Sequence, residues 1–409
     1  MKLYIKLAWR NIWRNRRRTI ITASSIAFAV FFAVLPESMN RGSHDQMIDN
    51  MARFHTGFLQ IQDEYFEKEP SLDNAMPWDD ELARRVRASD PDITTLIPRI
   101  ETFMLVSSEE TTRGGFVLGI DPEKEQQLNQ LKDRISEGRF FGKGEGTAVI
   151  GRGFARRLNV EVGDTLVLLG QGRFGMTAAG LFPVSGIMDH PITEMSNQVV
   201  YLSLVDAQWL LSAYDHVTSL LVTPATPRLT DKVARSLRSE LQGQNSYVVK
   251  TWPELMPELL QAIEFDNAGQ YVISGILYMV IALGLLGTIL TMTMERTREF
   301  GVLLSVGMQR RQLGKVVFIE TLLISVLGLL AGLVISFLIT FYFYFNPIPL
   351  TGDAAQAMLE FGFEPVLPFA ISPDLFYKQM IIVFMLSMVI CLYPMGKIFR
   401  LNILEAARK

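Results

Sequence analysis

The chain has 409 residues, of which 49% are apolar, so it is long enough for two or three domains. Its single cysteine, Cys391, excludes an intrachain disulfide. The net charge of −3 is unevenly distributed, because residues 42–268 carry 21 Lys and Arg against 33 Asp and Glu, a net charge of −12. An acidic segment of this size argues against nucleic-acid binding.

Four stretches with almost no charge dominate the hydropathy pattern. Only Glu320 interrupts them, and they cover residues 19–36, 271–294, 316–345 and 379–396. About 20 residues of helix cross a hydrocarbon core roughly 30 Å thick, so we expect four transmembrane helices. The alternatives are buried core helices and, for the first stretch, a secretory signal peptide, although no small-residue cleavage site follows it.

Basic residues near the expected spans predict the orientation. Residues 1–18 hold seven Lys and Arg and no acid, whereas residues 346–378 hold one basic residue and four acids. The positive-inside rule therefore predicts that the N-terminus, the 295–315 segment and the C-terminus are cytoplasmic.

The predicted elements follow in chain order. They are a cytoplasmic interfacial helix over 1–18, a first span over 19–41, an extracytoplasmic domain with stalk helices over 42–268, a second span over 269–294, a cytoplasmic loop over 295–315, a third span over 316–345, an extracytoplasmic loop over 346–378, a fourth span over 379–396 and a cytoplasmic tail over 397–409. Helical spacing over 38–54 and 252–270 predicts the two stalks, with Pro257 as a point of kinking.

The segment between the stalks has the mixed pattern of an α+β domain. Strands are predicted over 57–62, 102–107, 115–120, 147–150, 165–169, 180–187, 198–202 and 218–222. Helices are predicted over 79–88, 124–131, 153–158, 205–211 and 231–241. The expected fold class is an α-helical membrane protein with four transmembrane helices and a large extracytoplasmic α+β domain inserted between helices 1 and 2.

Motifs for self-contained catalysis are missing from the sequence. No Walker A phosphate loop and no G-x-S-x-G elbow occurs, and the four histidines lack metal-ligand spacing. We therefore predict no catalytic residue, no metal site and no directly bound cofactor. Glu320 is the one intramembrane charge; it is either functional or close enough to the cytoplasmic end of its span to reach the interface.

Three segments carry a resemblance to a known family. The loop after the second span reads Met294-Glu-Arg-Thr-Arg-Glu-Phe-Gly-Val-Leu-Leu-Ser-Val-Gly307, the start reads Leu7-Ala-Trp-Arg-Asn-Ile-Trp-Arg-Asn-Arg-Arg-Arg18, and the ending contains Ile403-Leu-Glu-Ala-Ala407. Together with Leu118-Gly-Ile-Asp-Pro122 and Gly163-Asp164-Thr165, these segments resemble permeases of the FtsX/MacB/LolC-LolE family, the type VII ABC transporters. The resemblance extends over essentially the whole chain.

The resemblance implies a permease of the bacterial inner membrane that works with two cytoplasmic ABC ATPase subunits and a second permease copy or paralogue. ATP and Mg would be bound by the partner ATPase. The loop would hold a coupling helix that docks on the ATPase, through charges, an apolar plug and glycine turns: Glu295, Arg296, Thr297, Arg298, Glu299, Phe300, Gly301, Val302, Leu303 and Gly307. Thr297 or Glu295 is expected to cap that helix. The alternative is a loop whose basic residues only reflect membrane topology.

Within the family, a chain of this length without a fused ATPase most resembles the lipoprotein-releasing LolC/LolE branch. The implied substrate is a lipoprotein or lipid-like molecule drawn from the outer leaflet. The hairpin at 170–180 is glycine-rich and lacks the proline of that branch's hook, so a contact with a periplasmic protein would depend on Arg173, Phe174 and Met176. The alternatives are a MacB-like efflux permease with a periplasmic adaptor and an FtsX-like regulator of a cell-wall hydrolase.

Overall fold

A computed structural model describes residues 2–14, 16–109, 111–242, 247–360 and 365–399. Two compact units share the chain. The helical unit comprises Met1–Asp45, Ala262–Pro349 and Val366–Lys409, and the sheet unit comprises Gln46–Gln261 and Leu350–Pro365. The expected cytoplasmic tail, with the motif at 403–407, lies outside the described residues from residue 400 onward.

The helices of the described residues range from single turns to 39 residues. They are α1 Lys2–Arg14, α2 Arg16–Met51, α3 Glu64–Lys68, α4 Asp80–Ser89, α5 Pro122–Asn129, α6 Arg152–Leu158, α7 Thr193–Ser196, α8 Leu204–Leu210, α9 Thr230–Leu241, α10 Trp252–Leu255, α11 Pro257–Glu295, α12 Thr297–Ser305, α13 Arg310–Phe345, α14 Asp353–Glu360 and α15 Pro373–Phe399.

Four described helices are long and apolar enough to cross a membrane: α2 with the turn after it, α11, α13 and α15. Helices α2 and α13 approach closely because α13 presents glycines to α2. A Cβ at Gly328 would lie 2.7 Å from the Ala23 carbonyl oxygen, and one at Gly332 would lie 2.8 Å from that of Ala27. Small residues spaced four apart allow such contact between membrane helices. Helix α11 instead leaves most of its apolar side chains uncovered.

The strands of the described residues vary from two to 15 residues. They are β1 Leu59–Asp63, β2 Met76–Pro77, β3 Ile93–Ser107, β4 Thr112–Ile120, β5 Ile135–Gly138, β6 Ala148–Gly151, β7 Thr165–Gln171, β8 Thr177–Met188, β9 Val199–Ser203, β10 His216–Val217, β11 Ser219–Pro224, β12 Tyr247–Thr251, β13 Ile348–Pro349 and β14 Val366–Leu367.

One mixed sheet organises the sheet unit, with the strand order β12-β1-β11-β3-β4-β9-β6-β8-β5 and with β7 pairing β3 and β8. The pairs β4–β9 and β6–β8 are parallel and the others are antiparallel. Side chains alternate along β3, so Ile100, Met104 and Val106 enter a core with Phe154 and Phe182. A second core packs α4 and α9 against β1 and β11.

The predicted fold class is confirmed: four candidate membrane helices accompany an α+β domain located between the first and second of them. Several boundaries differ. The helix expected over 1–18 ends at Arg14, and Pro257 separates α10 from α11 rather than bending one helix. Strand β3 extends over 15 residues, because both of its ends find partners along the sheet. Strands β5 and β12 were missed, since they have only four and five residues.

Candidate functional site

The segment expected to contact an ATPase forms a short helix between two long ones. Helix α12 begins two residues after α11 ends, and it stops at Ser305. Gly307 follows with φ +103°, a backbone conformation that glycine adopts without strain, and the chain then turns into α13. The predicted glycine turn is therefore present at Gly307, whereas Gly301 lies buried inside the helix.

The predicted capping of this helix is wrong. Arg296 occupies the N-cap position without a capping side chain, and the Thr297 hydroxyl donates instead to the Thr293 carbonyl oxygen at 3.1 Å, back along α11. The short connection between α11 and α12 favours this bond, because Thr293 lies one turn before Thr297 and leaves its carbonyl within reach.

A buried ion pair fixes the start of α12. Arg296 Nη1 donates to Glu320 Oε1 of α13 at 2.6 Å, and both side chains are about 5% exposed. Arg296 Nε also lies 3.3 Å from Glu299 Oε2. Sequence reasoning singled out both Glu320 and Arg296 but did not pair them. The pair therefore ties the start of α12 to α13.

The apolar residues of α12 divide into two sets. Phe300 is buried with Leu304, Leu313, Val317 and Ile398, so its predicted role as part of a docking plug is wrong. Val302 remains 50% exposed and Leu303 39% exposed. Val306, which the sequence analysis did not select, is 82% exposed. The apolar surface that α12 offers therefore consists of Val302, Leu303 and Val306, with the exposed Arg298 beside it.

Basic residues near the N-terminus contact the same segment. Arg14 Nη2 lies 3.4 Å from Glu299 Oε2, and Arg18 Nε lies 2.9 Å from Glu295 Oε2. Leu7, Asn11 and Arg14 line a cleft of about 580 Å³ whose opposite wall contains Arg298, Val302 and Leu303. Both acids of the motif are thus bound by the chain's own arginines. The five basic or polar residues at 14–18 and the two acids at 295 and 299 were visible in the sequence, but Arg296 and Arg298 make the second segment net neutral, so its charge did not predict this contact.

The hairpin between β7 and β8 exposes two of the three residues expected there, Phe174 and Met176, and leaves Arg173 half-buried. Phe174 is 73% exposed and Met176 is also exposed, and the Arg173 guanidinium lies 4.7 Å from the Phe174 ring centre. Phe174 has φ 56°, and its backbone N–H donates to the Asp73 carboxylate. This bond anchors the hairpin tip, which holds its aromatic ring outward.

A larger apolar surface on the sheet was missed by sequence reasoning. Residues in register place six exposed apolar side chains on one face of β4, β3, β7 and β8: Phe116 beside Phe103, Leu105 beside Leu169, and Val167 beside Leu181. The Phe103 ring packs over Gly114, where a Cβ would lie 2.4 Å from Cζ. The positions in register on this face, Ser107, Thr112, Gly114 and Ala179, carry no charge. We call these six side chains the apolar sheet face.

The histidines have structural environments in the described residues. His44 Nε2 lies 2.8 Å from the Asp266 carboxylate, which also accepts from Asn40, so α2 and α11 are tied together at this level. His190 is buried, and burial together with the positive charges of Arg134 and Arg99 lowers its pKa to about 3. Among the described residues, no group of three or more His, Cys, Asp or Glu side chains is arranged to hold a metal ion.

Comparison with known proteins identifies the class. The MacB-like periplasmic core domain matches residues 19–240, and the FtsX-like permease C-terminal region matches residues 271–403. The chain belongs to this family of ABC transporter permeases, as its motifs predicted.

Its curated relatives are named for different roles. It is 23% identical to the lipoprotein-releasing system transmembrane protein LolC of Xylella fastidiosa (strain 9a5c) over 60% of each chain. It is 23% identical to the pyoverdine export ATP-binding/permease protein PvdT of Pseudomonas entomophila over 82% of this chain and 51% of that one. It is 21% identical to the macrolide export ATP-binding/permease protein MacB of Nitrosomonas europaea over 83% and 52%. The chain thus spans 51–60% of the length of these relatives.

Among solved structures, the periplasmic region of MacB from Actinobacillus actinomycetemcomitans matches 54% of this chain and 98% of its own, with 13% identity and a TM-score of 0.37.

Proposed function

We propose that this chain is the permease subunit of an inner-membrane ABC transporter and that it converts ATP hydrolysis by separate ATPase subunits into motion of its extracytoplasmic domain. Two cytoplasmic ATPases and a second permease copy or paralogue would complete the complex, and ATP and Mg would bind the ATPases. The N- and C-termini would be cytoplasmic. The observation that carries this proposal is the pairing of an exposed apolar patch on α12 with the buried Arg296–Glu320 bond behind it.

This arrangement suits a part that transmits force. Val302, Leu303 and Val306 offer an apolar knob to a groove on a partner, and Arg298 offers a charge-assisted bond beside it. Pressure on that knob would reach α13 through the ion pair and α11 through the single connecting residue, Arg296. The Asn40, His44 and Asp266 contacts would carry it between α2 and α11.

For the substrate, we propose a lipoprotein or lipid-like molecule taken from the outer leaflet of the inner membrane. The apolar sheet face supports this class, since six exposed apolar side chains without a charge among them occur in a segment of net charge −12. Exposed apolar patches of this kind mark binding sites for apolar partners. The similarity to LolC, a protein of a lipoprotein-releasing system, supports this substrate class.

A second candidate is an efflux permease working with a periplasmic adaptor. The export relatives PvdT and MacB align with more than four fifths of this chain, against 60% for LolC. The hairpin tip, with the exposed Phe174 and Met176 and the half-buried Arg173, would then be the adaptor contact.

Co-purification tests the class of complex. A tagged chain solubilised in mild detergent is expected to bring down an ABC ATPase in equal amount, together with either a lipoprotein or an adaptor. Recovery of a cell-wall hydrolase instead would favour the regulator interpretation. The orientation is tested by Ser305→Cys and Thr177→Cys with a membrane-impermeant maleimide, since the native Cys391 is buried. Labelling of position 305 from outside intact cells would refute the proposal.

To test the substrate class, Leu181→Ser and Phe103→Ser are expected to reduce substrate release and leave ATP hydrolysis intact. Val162→Ser, an exposed apolar residue outside the apolar sheet face, is the matched control. Normal release by the two face variants would remove the support that this surface gives to a lipid-like substrate.

A further inference from the structure

An open cavity of about 1110 Å³ separates the start of α2 from the C-terminal half of α11. On α11 its wall consists of small residues, Gly284, Gly287, Thr288 and Thr291. A Cβ added at either glycine would meet no atom within 4 Å. The two threonine hydroxyls donate at 3.0 Å to the carbonyl oxygens of Gly284 and Gly287, so they offer only methyl groups to the groove.

The mouth of the cavity is strongly basic. It is lined by Arg14, Arg16, Arg17 and Arg18, with Glu295 as its one acid. Arg18 pairs with Glu295, and Arg14 pairs with Glu299. Arg16 lies 5.7 Å from the Trp13 ring centre. Within the described ranges, no carboxylate lies at ion-pair distance from Arg16 or Arg17. Two guanidinium groups at the mouth are therefore available to bind an anion.

The floor below these arginines is apolar. Ile21 from α2 and Leu283 and Met292 from α11 line it, and the Thr22 hydroxyl is turned to the Met292 sulfur at 4.0 Å. A site with unpaired guanidinium groups at one end and an apolar groove at the other is complementary to an amphiphile with an anionic head. Guanidinium groups bind phosphate oxygens in a bidentate manner, and basic residues beside a membrane helix attract anionic lipids.

We propose that this cavity binds one anionic glycerophospholipid, with its phosphate on Arg16 and Arg17 and one acyl chain along the Gly284–Gly287 groove. The arginine cluster by itself follows from membrane topology, but the groove does not. A helix from a second copy is a poorer occupant, because a symmetric contact would bring a second set of arginines to the same mouth. The lipid site does not rest on the proposed transport function, whereas its effect on the segment leading into α12 does.

The position of the lipid has a consequence for the coupling segment. Arg18, at the mouth, holds Glu295, which is the last residue of α11 and immediately precedes Arg296. An anionic lipid bound beside Arg18 would compete with Glu295 for that guanidinium and would therefore shift the connection that leads into α12. The lipid would act as a membrane-derived regulator of the coupling segment.

The test measures lipid retention by the full chain purified in mild detergent, by native mass spectrometry, and rebinding of phosphatidylglycerol against phosphatidylcholine in nanodiscs. Arg16→Gln/Arg17→Gln is expected to weaken phosphatidylglycerol binding ~30-fold, from the electrostatic contribution of two arginines at an anionic surface. Lys6→Gln/Arg10→Gln removes the same charge from exposed positions of α1 that do not line the cavity, and it should bind normally.

A further variant tests the contribution of the groove to lipid binding independently of the arginine charges. Gly287→Leu fills the groove without changing any charge, and open space around Gly287 predicts that the protein still folds. It should lose phosphatidylglycerol while retaining inorganic phosphate binding. If both double variants weakened phosphatidylglycerol binding equally, the lipid would be attracted by surface charge alone, and the proposed site would be refuted. Full displacement of lipid by inorganic phosphate, or a Gly287→Cys variant that forms a disulfide between two copies, would refute it as well.

Discussion

Arg296 Nη1 lies 2.6 Å from Glu320 Oε1, and this buried bond joins the first residue after α11 to the eleventh residue of α13. Removing two charges from water is costly, so such a pair is tolerated only when each partner satisfies the other. The main effect of this ion pair is on the position of α12. The bond determines where α12 begins and therefore where the exposed Val302 and Val306 point.

Glu320→Leu should lower the free energy of unfolding by about 3 kcal/mol, because the buried Arg296 guanidinium then keeps only its 3.3 Å contact with Glu299. The double variant Arg296→Met/Glu320→Leu replaces both charges with apolar groups and should recover most of that loss. Thermal unfolding of the detergent-solubilised chain measures both. Equal losses in the single and double variants would mean that the pair is not coupled.

The exposed patch on α12 gives a prediction about coupling. Val302→Asp or Arg298→Glu should leave folding unchanged and abolish stimulation of the partner ATPase, because both side chains face solvent. Val205→Asp, an exposed apolar residue of α8, is the matched control. Reversal of Glu299 is a poorer test, since this residue contacts both Arg296 and Arg14 and its loss would disturb folding as well. Full ATPase stimulation in the Val302→Asp variant would refute the docking role of α12.

Much of the fold could be predicted from the sequence, because membrane-spanning helices and regular strands require particular patterns of apolar and charged residues. Uncharged stretches of helical length mark the spans, and alternating or turn-flanked runs marked β4 and β7. Strand β12 was not predicted because it has only five residues, one of which is the charged Lys250. Its pairing with β1, rather than its own sequence, identifies it as a strand. Tertiary pairing of this kind has no local signature.

The candidate site was predicted in part for a related reason. The coupling motif located the segment by its residues, but burial decides the role of each one, and burial depends on α13 and α15. Phe300 is buried because it packs against Leu313 and Val317 of α13. Val306, which was not selected from the sequence, lies just past the end of α12 and is 82% exposed. The apolar sheet face requires the register of four strands, which no single run of residues reveals.

The close approach of α2 and α13 gives a packing prediction. Gly328→Ala should destabilise the helical unit by about 1–3 kcal/mol, because the new methyl group would lie 2.7 Å from a backbone oxygen that cannot move independently. Gly275→Ala in α11 is the control, since open space surrounds that position. Thermal unfolding in detergent should show a loss for the first variant and none for the second. A tolerated Gly328→Ala change would contradict the observed helix spacing.

The low pKa of His190 gives the sheet unit a pH dependence whose sign can be worked out. The unfolded state takes up a proton near pH 6.5, whereas the folded state resists it until about pH 3. The unfolded state therefore binds more protons in this interval, and folding stability falls as the pH is lowered from about 6.5. Between pH 7 and pH 5 the loss should be roughly 2 kcal/mol. His190→Gln should weaken the dependence of unfolding temperature on pH in that range without removing it, because burial and the charge of Arg99 lower the pKa of His55 to about 4 and give the same sign of dependence. A His190→Gln variant with the same slope as the parent would place the titrating group elsewhere.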